Sequence, residues 1–520
     1  MINDYVIEDV WLHDGLGSPA QHADLAIQAG CIAEIRYYGE RLDSEHDSRQ
    51  GKKRSLGLRG KERVQGDAMH LAPGFIDVHT HDDAALLLQP SMDFKVSQGV
   101  TTVVTGNCGV SIAPLPEGVL PMPLGLVAGG EKPVFRHFKD YVEALKDSPA
   151  ATHALMLIGH SALRVCTMDR LDREANPAEI RAMQALLQTC LHEGAAGAST
   201  GTFYPTASSA SQSEITQVLR PLCECGGIFT THMRNEAEGL MTSIEETIQI
   251  GQGLGVRTII SHHKCAGPLA HGQSKQSLAR IEQASKSLEL GFDVYPYEAS
   301  STMLLADRAK LSRKTIITAC PRFPAYEGRD FDQLCAELNL SASACADYLG
   351  PSGAVYFTMD ETDVDRIVSH PQSMIGSDGI PLQGKAHPRL WGTFPRVLGR
   401  YVREKGLLTL PQAIRKMTGL SAARFGLDRG PTPRGRICLG AAADLVLFDP
   451  QQVLDVADYE NPARPSQGIE ACWVAGQRVY TGARLAHAEA VAAGCSAARP
   501  GQVLSGRQIA ADGPTNKQAC

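Results

Sequence analysis

The sequence predicts an α/β fold: a (β/α)8 TIM-type barrel with a small β-sandwich-like domain formed from both chain ends. Three observations carry this expectation. The chain has 520 residues, too long for one small module at roughly 100–200 residues per domain. From about Leu71 to Gly430, short apolar runs ending in polar residues alternate with helical patterns, as in GFIDVHTH, TTVVTGNC, TIISHHK and MIGSDG. Runs buried on both faces are expected in a parallel sheet, and this segment accommodates a barrel of ~250 residues with insertions. Finally, two β-rich patches of similar texture lie at opposite ends of the chain.

Taken in order, residues 1–70 carry short strands such as Tyr5-Val6-Ile7 and Ala23-Asp24-Leu25-Ala26-Ile27 between Gly and Asp turns. The charged stretch at 43–67 reads as a solvated loop in this small domain. Residues 71–430 form the barrel, interrupted by a helical insertion at about 310–350. Residues 431–484 return to the small domain, where Ala443-Asp444-Leu445 repeats the phase of Ala23-Asp24-Leu25. Residues 485–520, rich in Ala, Gly and polar residues, read as a loosely held tail.

Composition narrows the class. Hydrophobic residues make up 43% and charged residues 21%, as in soluble globular chains. A net charge of -7 gives no global pull toward nucleic acid or an anionic membrane. MINDYVIEDVWLHDGLG lacks the basic and apolar regions of a secretory leader, and no window has the ~18 apolar residues of a membrane span. Fourteen scattered cysteines suit reduced thiols and a cytoplasmic protein, and Cys223 and Cys225 form a C-x-C pair without redox or zinc-knuckle spacing.

The chemistry gathers at strand ends. GFIDVHTH closes on His79 and His81, which strand periodicity places on one face, suited to two imidazoles converging on a metal. Further ligand types end other predicted strands: Cys108 after TTVVTGN, His232 after IFTT and His262 after TIIS. A barrel collects such residues on one rim. In the doublet His262-His263, alternation puts His262 and Lys264 on one face, and only one of the two histidines can face the lumen. Asp378, in IGSDG, can serve as a general base beside a metal-activated water.

With these residues in place, the chain resembles the N-acyl-D-amino-acid deacylases (D-aminoacylases) of the amidohydrolase superfamily. The resemblance rests on APGFIDVHTHDD, GVTTVVTGNCGVS, STGTFYP, THMRNE, ISHHKC, DVYPYEASSTML, MIGSDG and HPRLWGTFPRVLGRY. It implies Zn2+ held tightly by Cys108, His232 and His262, and a weaker second site at His79 and His81 that Cys108 can bridge. It implies Asp378 as catalytic base, with Tyr204, Lys264, Tyr295, Ser301 and Arg389 around the substrate carboxylate and scissile group. The implied partner is a small-molecule N-acyl-D-amino acid. Cys108 stands where many superfamily members carry a carboxylated lysine, which disfavours a cyclic-amide hydrolase. Arg308, shortly after SSTML, is the cation that could pair with the distal carboxylate of D-Glu or D-Asp, so an acidic-substrate deacylase is the alternative within this family. A non-catalytic metal-binding barrel is the alternative of a different class.

Overall fold

A computed structural model describes residues 2–38, 58–118, 120–128, 133–382, 385–489 and 492–506. The N-terminal strands β1 (Asn3–Leu12), β2 (Gln21–Gln28) and β3 (Cys31–Tyr37) form an antiparallel meander, and β4 (Gly60–Gln65) and β5 (His70–Pro73) run parallel to β1. Near the other end of the chain, β5 pairs antiparallel with a strand at Leu445–Phe448, aligning Leu71 with Leu447. This joins the two chain ends in one continuous sheet, which curls over a shared core of Ile7, Leu25, Ile27, Leu445, Leu447 and Trp473. Tyr5 meets Trp473 edge to face across that core, ring centroids 6.4 Å apart.

The stretch expected as a loop at 43–67 thus contains a strand. β4 reads GKERVQ and buries only Val64, so it lacks an apolar alternation that would disclose it. Its polar side chains pair with β1: Glu8 takes hydrogen bonds from Arg63 and, at 2.8 Å, from Gln65, and Asp4 takes one from Lys61 at 2.8 Å. Residues 43–57 of the expected loop lie outside the described residues.

The barrel strands are β6 (Phe75–Asp77), β7 (Val100–Thr105), β8 (His153–Gly159), β9 (Gly197–Gly201), β10 (Ile228–His232), β11 (Arg257–Ile260) and β12 (Leu290–Val294), all paired in parallel. An insertion follows with β13 (Ala299–Met303), β14 (Thr315–Ile317) and β15 (Gly353–Phe357), and β16 (Ser373–Ile375) then pairs with β12. A parallel bridge between Thr80 and Gly379 closes β16 onto the end of β6. Every residue of β7, β8, β9, β10, β12 and β16 is buried, because side chains inside and helices outside cover both faces. Ile76, Val104, Leu155, Leu157, Ile228, Ile259 and Met374 fill the interior, each fully buried side chain contributing about 1.5–3 kcal/mol.

The insertion is wider than 310–350 and only partly helical. It starts at β13 and packs helices Phe331–Leu338 and Ala342–Leu349 against a three-stranded antiparallel sheet, with its own core of Ile317, Phe331, Leu334, Leu349 and Tyr356. β13 reads ASSTM and β14 has three residues, so neither carries a clear periodicity. The tail also departs from expectation. After β17 (Leu445–Phe448), β18 (Ile469–Val474) and β19 (Gln477–Thr481), β20 (Gly494–Cys495) adds to the small-domain sheet. β21 (Val503–Leu504) then pairs in parallel with β8. Gly501 passes so close to β8 that a Cβ there would lie 2.1 Å from the Thr152 carbonyl, and Leu504 enters the barrel core. These contacts anchor residues 494–506; those beyond 506 lie outside the described residues.

Candidate active site

The C-terminal ends of the barrel strands converge on one buried cluster. His79 and His81 follow β6, Cys108 follows β7, His232 ends β10, His262 and Lys264 follow β11, Tyr295 follows β12, and Asp378 follows β16. Cys108, His262 and Asp378 have φ of 55°, 37° and 49°, a left-handed conformation that costs of order 1–3 kcal/mol unless the surroundings impose it. Here they do. The Asp378 amide donates to the His79 carbonyl at 2.8 Å, and the His262 amide donates to Asp293 Oδ1 at 2.9 Å.

Cys108 lies at the centre, its Sγ 3.2 Å from His79 Nε2 and 3.3 Å from His262 Nε2. Two donor sets share it: His79, His81, Cys108 and Asp378, and Cys108, His232 and His262, with the ligating atoms of each set within 4.8 Å of one another. Neither ring nitrogen of buried His232 makes a hydrogen bond of good geometry, nor does His81 Nδ1. A thiol and imidazoles converging with unused lone pairs are chemically suited to zinc. Burial alone would raise the Cys108 thiol pKa, but His79 and His262 outweigh it and hold it well below its usual value.

Asp378 is gripped from two sides. Oδ1 lies 3.2 Å from His81 Nε2 and 3.5 Å from His79 Nε2, and Oδ2 is 2.9 Å from Arg389 Nη2. Burial pushes its carboxyl up, yet Arg389 and then His262 hold it well below the usual carboxylate range. Arg389, the first residue of helix Arg389–Arg396, also donates to the Ser301 carbonyl at 3.1 Å. Its guanidinium lies 4.6 Å from the Tyr295 ring centroid, leaving Nε and Nη1 without protein partners. Ser301 is thus engaged here through its carbonyl. Tyr204 accepts a hydrogen bond from Thr302 at 3.2 Å and lies beside His232, ring centroids 4.9 Å apart. The Tyr295 hydroxyl makes no hydrogen bond. His263 turns outward to Ser277 Oγ, 2.9 Å away, so His262 is the lumenal member of the doublet.

All the positions singled out in the sequence lie in or around this cluster, but sequence reasoning missed four neighbours. Glu236 Oε1 accepts from Lys264 at 2.5 Å and lies 3.0 Å from His262 Nδ1. Asp293 Oδ2 lies 3.4 Å from His79 Nδ1. Buried Lys95 donates to Asp77 at 2.6 Å and to Ser377 Oγ at 3.0 Å, next to Asp378. Phe203 stacks on His232, centroids 5.1 Å apart. Asp293, Phe203 and Glu236 lie inside the stretches DVYPYEASSTML, STGTFYP and THMRNE, a signal that could have found them; Lys95 lies in none of the stretches.

Fold and site together have the arrangement of a metal-dependent barrel hydrolase. The chain belongs to the amidohydrolase family, whose model matches residues 68–293 and 254–480. It is 46% identical over 503 residues to an N-acyl-D-aspartate deacylase of Alcaligenes xylosoxydans xylosoxydans, covering 96% of this chain and 95% of the relative. A D-aminoacylase from the same organism is 46% identical over 469 residues, 90% of this chain and 93% of that one. Among solved structures, an N-acyl-D-glutamate deacylase from Bordetella bronchiseptica, complexed with zinc and a phosphonate mimic of the tetrahedral intermediate, superposes with a TM-score of 0.87 at 39% identity. That alignment covers 97% of this chain and all of the other. No helix among the described residues is long and apolar enough to cross a membrane.

Proposed function

We propose that this protein hydrolyses the amide bond of N-acyl-D-amino acids, giving a carboxylate and a free D-amino acid, with zinc as its metal. Cys108, His232 and His262 would hold the tight ion, and His79 and His81, sharing Cys108, a weaker one. When bound, zinc supplies Lewis acidity toward the acyl carbonyl and lowers the pKa of water.

The rest of the work falls to side chains. Asp378 accepts a proton from the attacking water and returns it to the leaving nitrogen, which departs as the neutral amine; one water is consumed, and its second proton, left on the acid product, passes to the amine to give carboxylate and ammonium. Arg389 beside it keeps the carboxyl ionised before substrate binds. If His262 offers Nε2 to the metal, Nδ1 carries the proton and donates to Glu236. Lys264, 2.7 Å from that nitrogen and 2.5 Å from Glu236 Oε1, then keeps its pair with Glu236 and has further N–H donors for the substrate. Arg389, Lys264 and the Tyr295 hydroxyl bind the α-carboxylate, and Tyr204 borders the scissile group. Fixing carboxylate and carbonyl leaves one direction per enantiomer for the side chain; the relatives supply the sign, D.

The observation that carries this reading is Asp378 held between Arg389 and the His79–His81 pair, against two donor sets that share Cys108. A screen of N-acetyl-D- and N-acetyl-L-amino acids on the zinc-loaded protein tests it, and absence of hydrolysis of every D compound would refute it. One observation favours a narrower reading: Arg308 is buried with Nε unpartnered, as a reader of an acidic side chain would be. Preference for N-acetyl-D-aspartate or N-acetyl-D-glutamate over N-acetyl-D-methionine would establish that reading.

A further inference from the structure

Glu236 is buried at 3% exposure, yet the proposed reaction accounts for only one of its oxygens. Oε1 is taken by Lys264 and His262. Oε2 makes no hydrogen bond; it lies 3.5 Å from His232 Nε2 and 3.9 Å from Arg308 Nη2. Arg308 reaches it from the insertion, on helix Ala306–Lys310, with its guanidinium 5.0 Å from the Phe203 ring centroid and 5.5 Å from that of Tyr356. Nη2 donates to Ser300 Oγ at 3.1 Å. Among the described residues, the carboxylate that faces Arg308 within ion-pair distance is Glu236, which links this arginine to the strand ends that carry His232 and His262.

We infer that Glu236 is a specificity-determining residue: it is the internal counter-ion of Arg308 and disfavours substrates whose side chain ends in a second carboxylate. The inference rests on the function proposed above. A substrate carboxylate bound to Arg308 Nη2 at about 2.9 Å lies at most about 7 Å from Glu236 Oε2, since the two distances add. In a buried site with an effective dielectric near 20, a like charge at that separation weakens binding by roughly fiftyfold. A neutral side chain feels no such repulsion. The α-carboxylate is common to both substrate classes, so its interaction with Lys264 and Arg389 cancels in their ratio.

The test compares zinc-loaded full-length wild type with Glu236→Gln, reading kcat/KM for N-acetyl-D-glutamate and N-acetyl-D-aspartate relative to N-acetyl-D-methionine. Loss of the proton clamp on His262 slows all three alike and leaves the ratio untouched. Removal of the counter-ion raises it, by roughly fiftyfold. The same shift should appear without turnover, as a ratio of dissociation constants measured by calorimetry in an Asp378→Asn background. An unchanged or lowered ratio for Glu236→Gln in both measurements overturns the inference. Should that variant not fold, Arg308→Met must lower the ratio, because an acidic side chain then faces Glu236 with no cation between; an unchanged ratio there is equally fatal. If wild type hydrolyses no N-acyl-D-amino acid, the proposed reaction fails and takes this inference with it. If wild type is active and the ratio does not move, the inference fails alone.

Discussion

Replacing Asp378 with asparagine separates chemistry from architecture. Asparagine is among the few side chains that readily occupy the left-handed region, so the φ of 49° at this position is retained. The amide oxygen still accepts from Arg389, at 2.9 Å from the carboxylate it replaces. The structural loss is the difference between a charged and a neutral hydrogen bond, about 1–2 kcal/mol, small beside the 5–15 kcal/mol of a typical fold. The donor set of Cys108, His232 and His262, proposed to hold the tight ion, excludes Asp378, so one equivalent of zinc should remain. The amide cannot take the water proton, and general-base catalysis supplies about 10²–10⁴ in rate, or roughly 3–5 kcal/mol at 1.36 kcal/mol per decade. With Arg389 freed of its carboxylate partner, KM should hold or fall while kcat collapses. Steady-state kinetics, zinc analysis and a thermal melt on one preparation decide it. A zinc-replete, folded variant with kcat within about tenfold of wild type would remove Asp378 from the role of base.

Cys108→Ser should lose the tight zinc and activity together, because both donor sets share the thiolate; a full equivalent of tightly held zinc with normal turnover would refute the assignment. Arg389→Ala should slow every substrate by taking the guanidinium partner from Asp378 Oδ2, and should slow N-acyl-D-amino acids further than an N-acyl amine without the carboxylate; equal losses would contradict the clamp. Lys416, buried on helix Leu410–Met417, donates to Ser373 Oγ at 2.8 Å, and burial followed by Arg415 pushes its pKa from 10.5 down to about 7. Between these values the unfolded chain binds the extra proton, so Lys416 makes stability rise with pH from about 7 to about 10.5. Lys416→Met should flatten that part of a melting profile, and an unchanged slope would contradict the burial argument.

What the sequence disclosed depended on the kind of signal each residue leaves. His79, His81, Cys108, His232, His262 and Asp378 were legible because each follows an apolar run, and a parallel barrel gathers strand ends on one rim. Glu236 and Lys95 were not, because a charged residue in a loop or short helix is usually solvated, and only the tertiary structure shows that these two are buried and paired. The joining of the chain ends showed in the repeated Ala-Asp-Leu texture. β4, β13 and β21 escaped notice for one shared physical reason. β4 and β13 carry few apolar side chains and pair through backbone hydrogen bonds, and β21 is apolar but only two residues long, so none of the three has a span over which hydrophobic periodicity can show.

The account's central claim is tested most directly by hydrolysis of matched enantiomers. Zinc-loaded and chelator-treated protein would be offered N-acetyl-D-methionine, N-acetyl-D-aspartate, N-acetyl-D-glutamate and their L forms, with released amine measured for each. The account predicts zinc-dependent release of free D-amino acid and little from the L series. Faster hydrolysis of the L series, or release that survives complete removal of the metal, would contradict it.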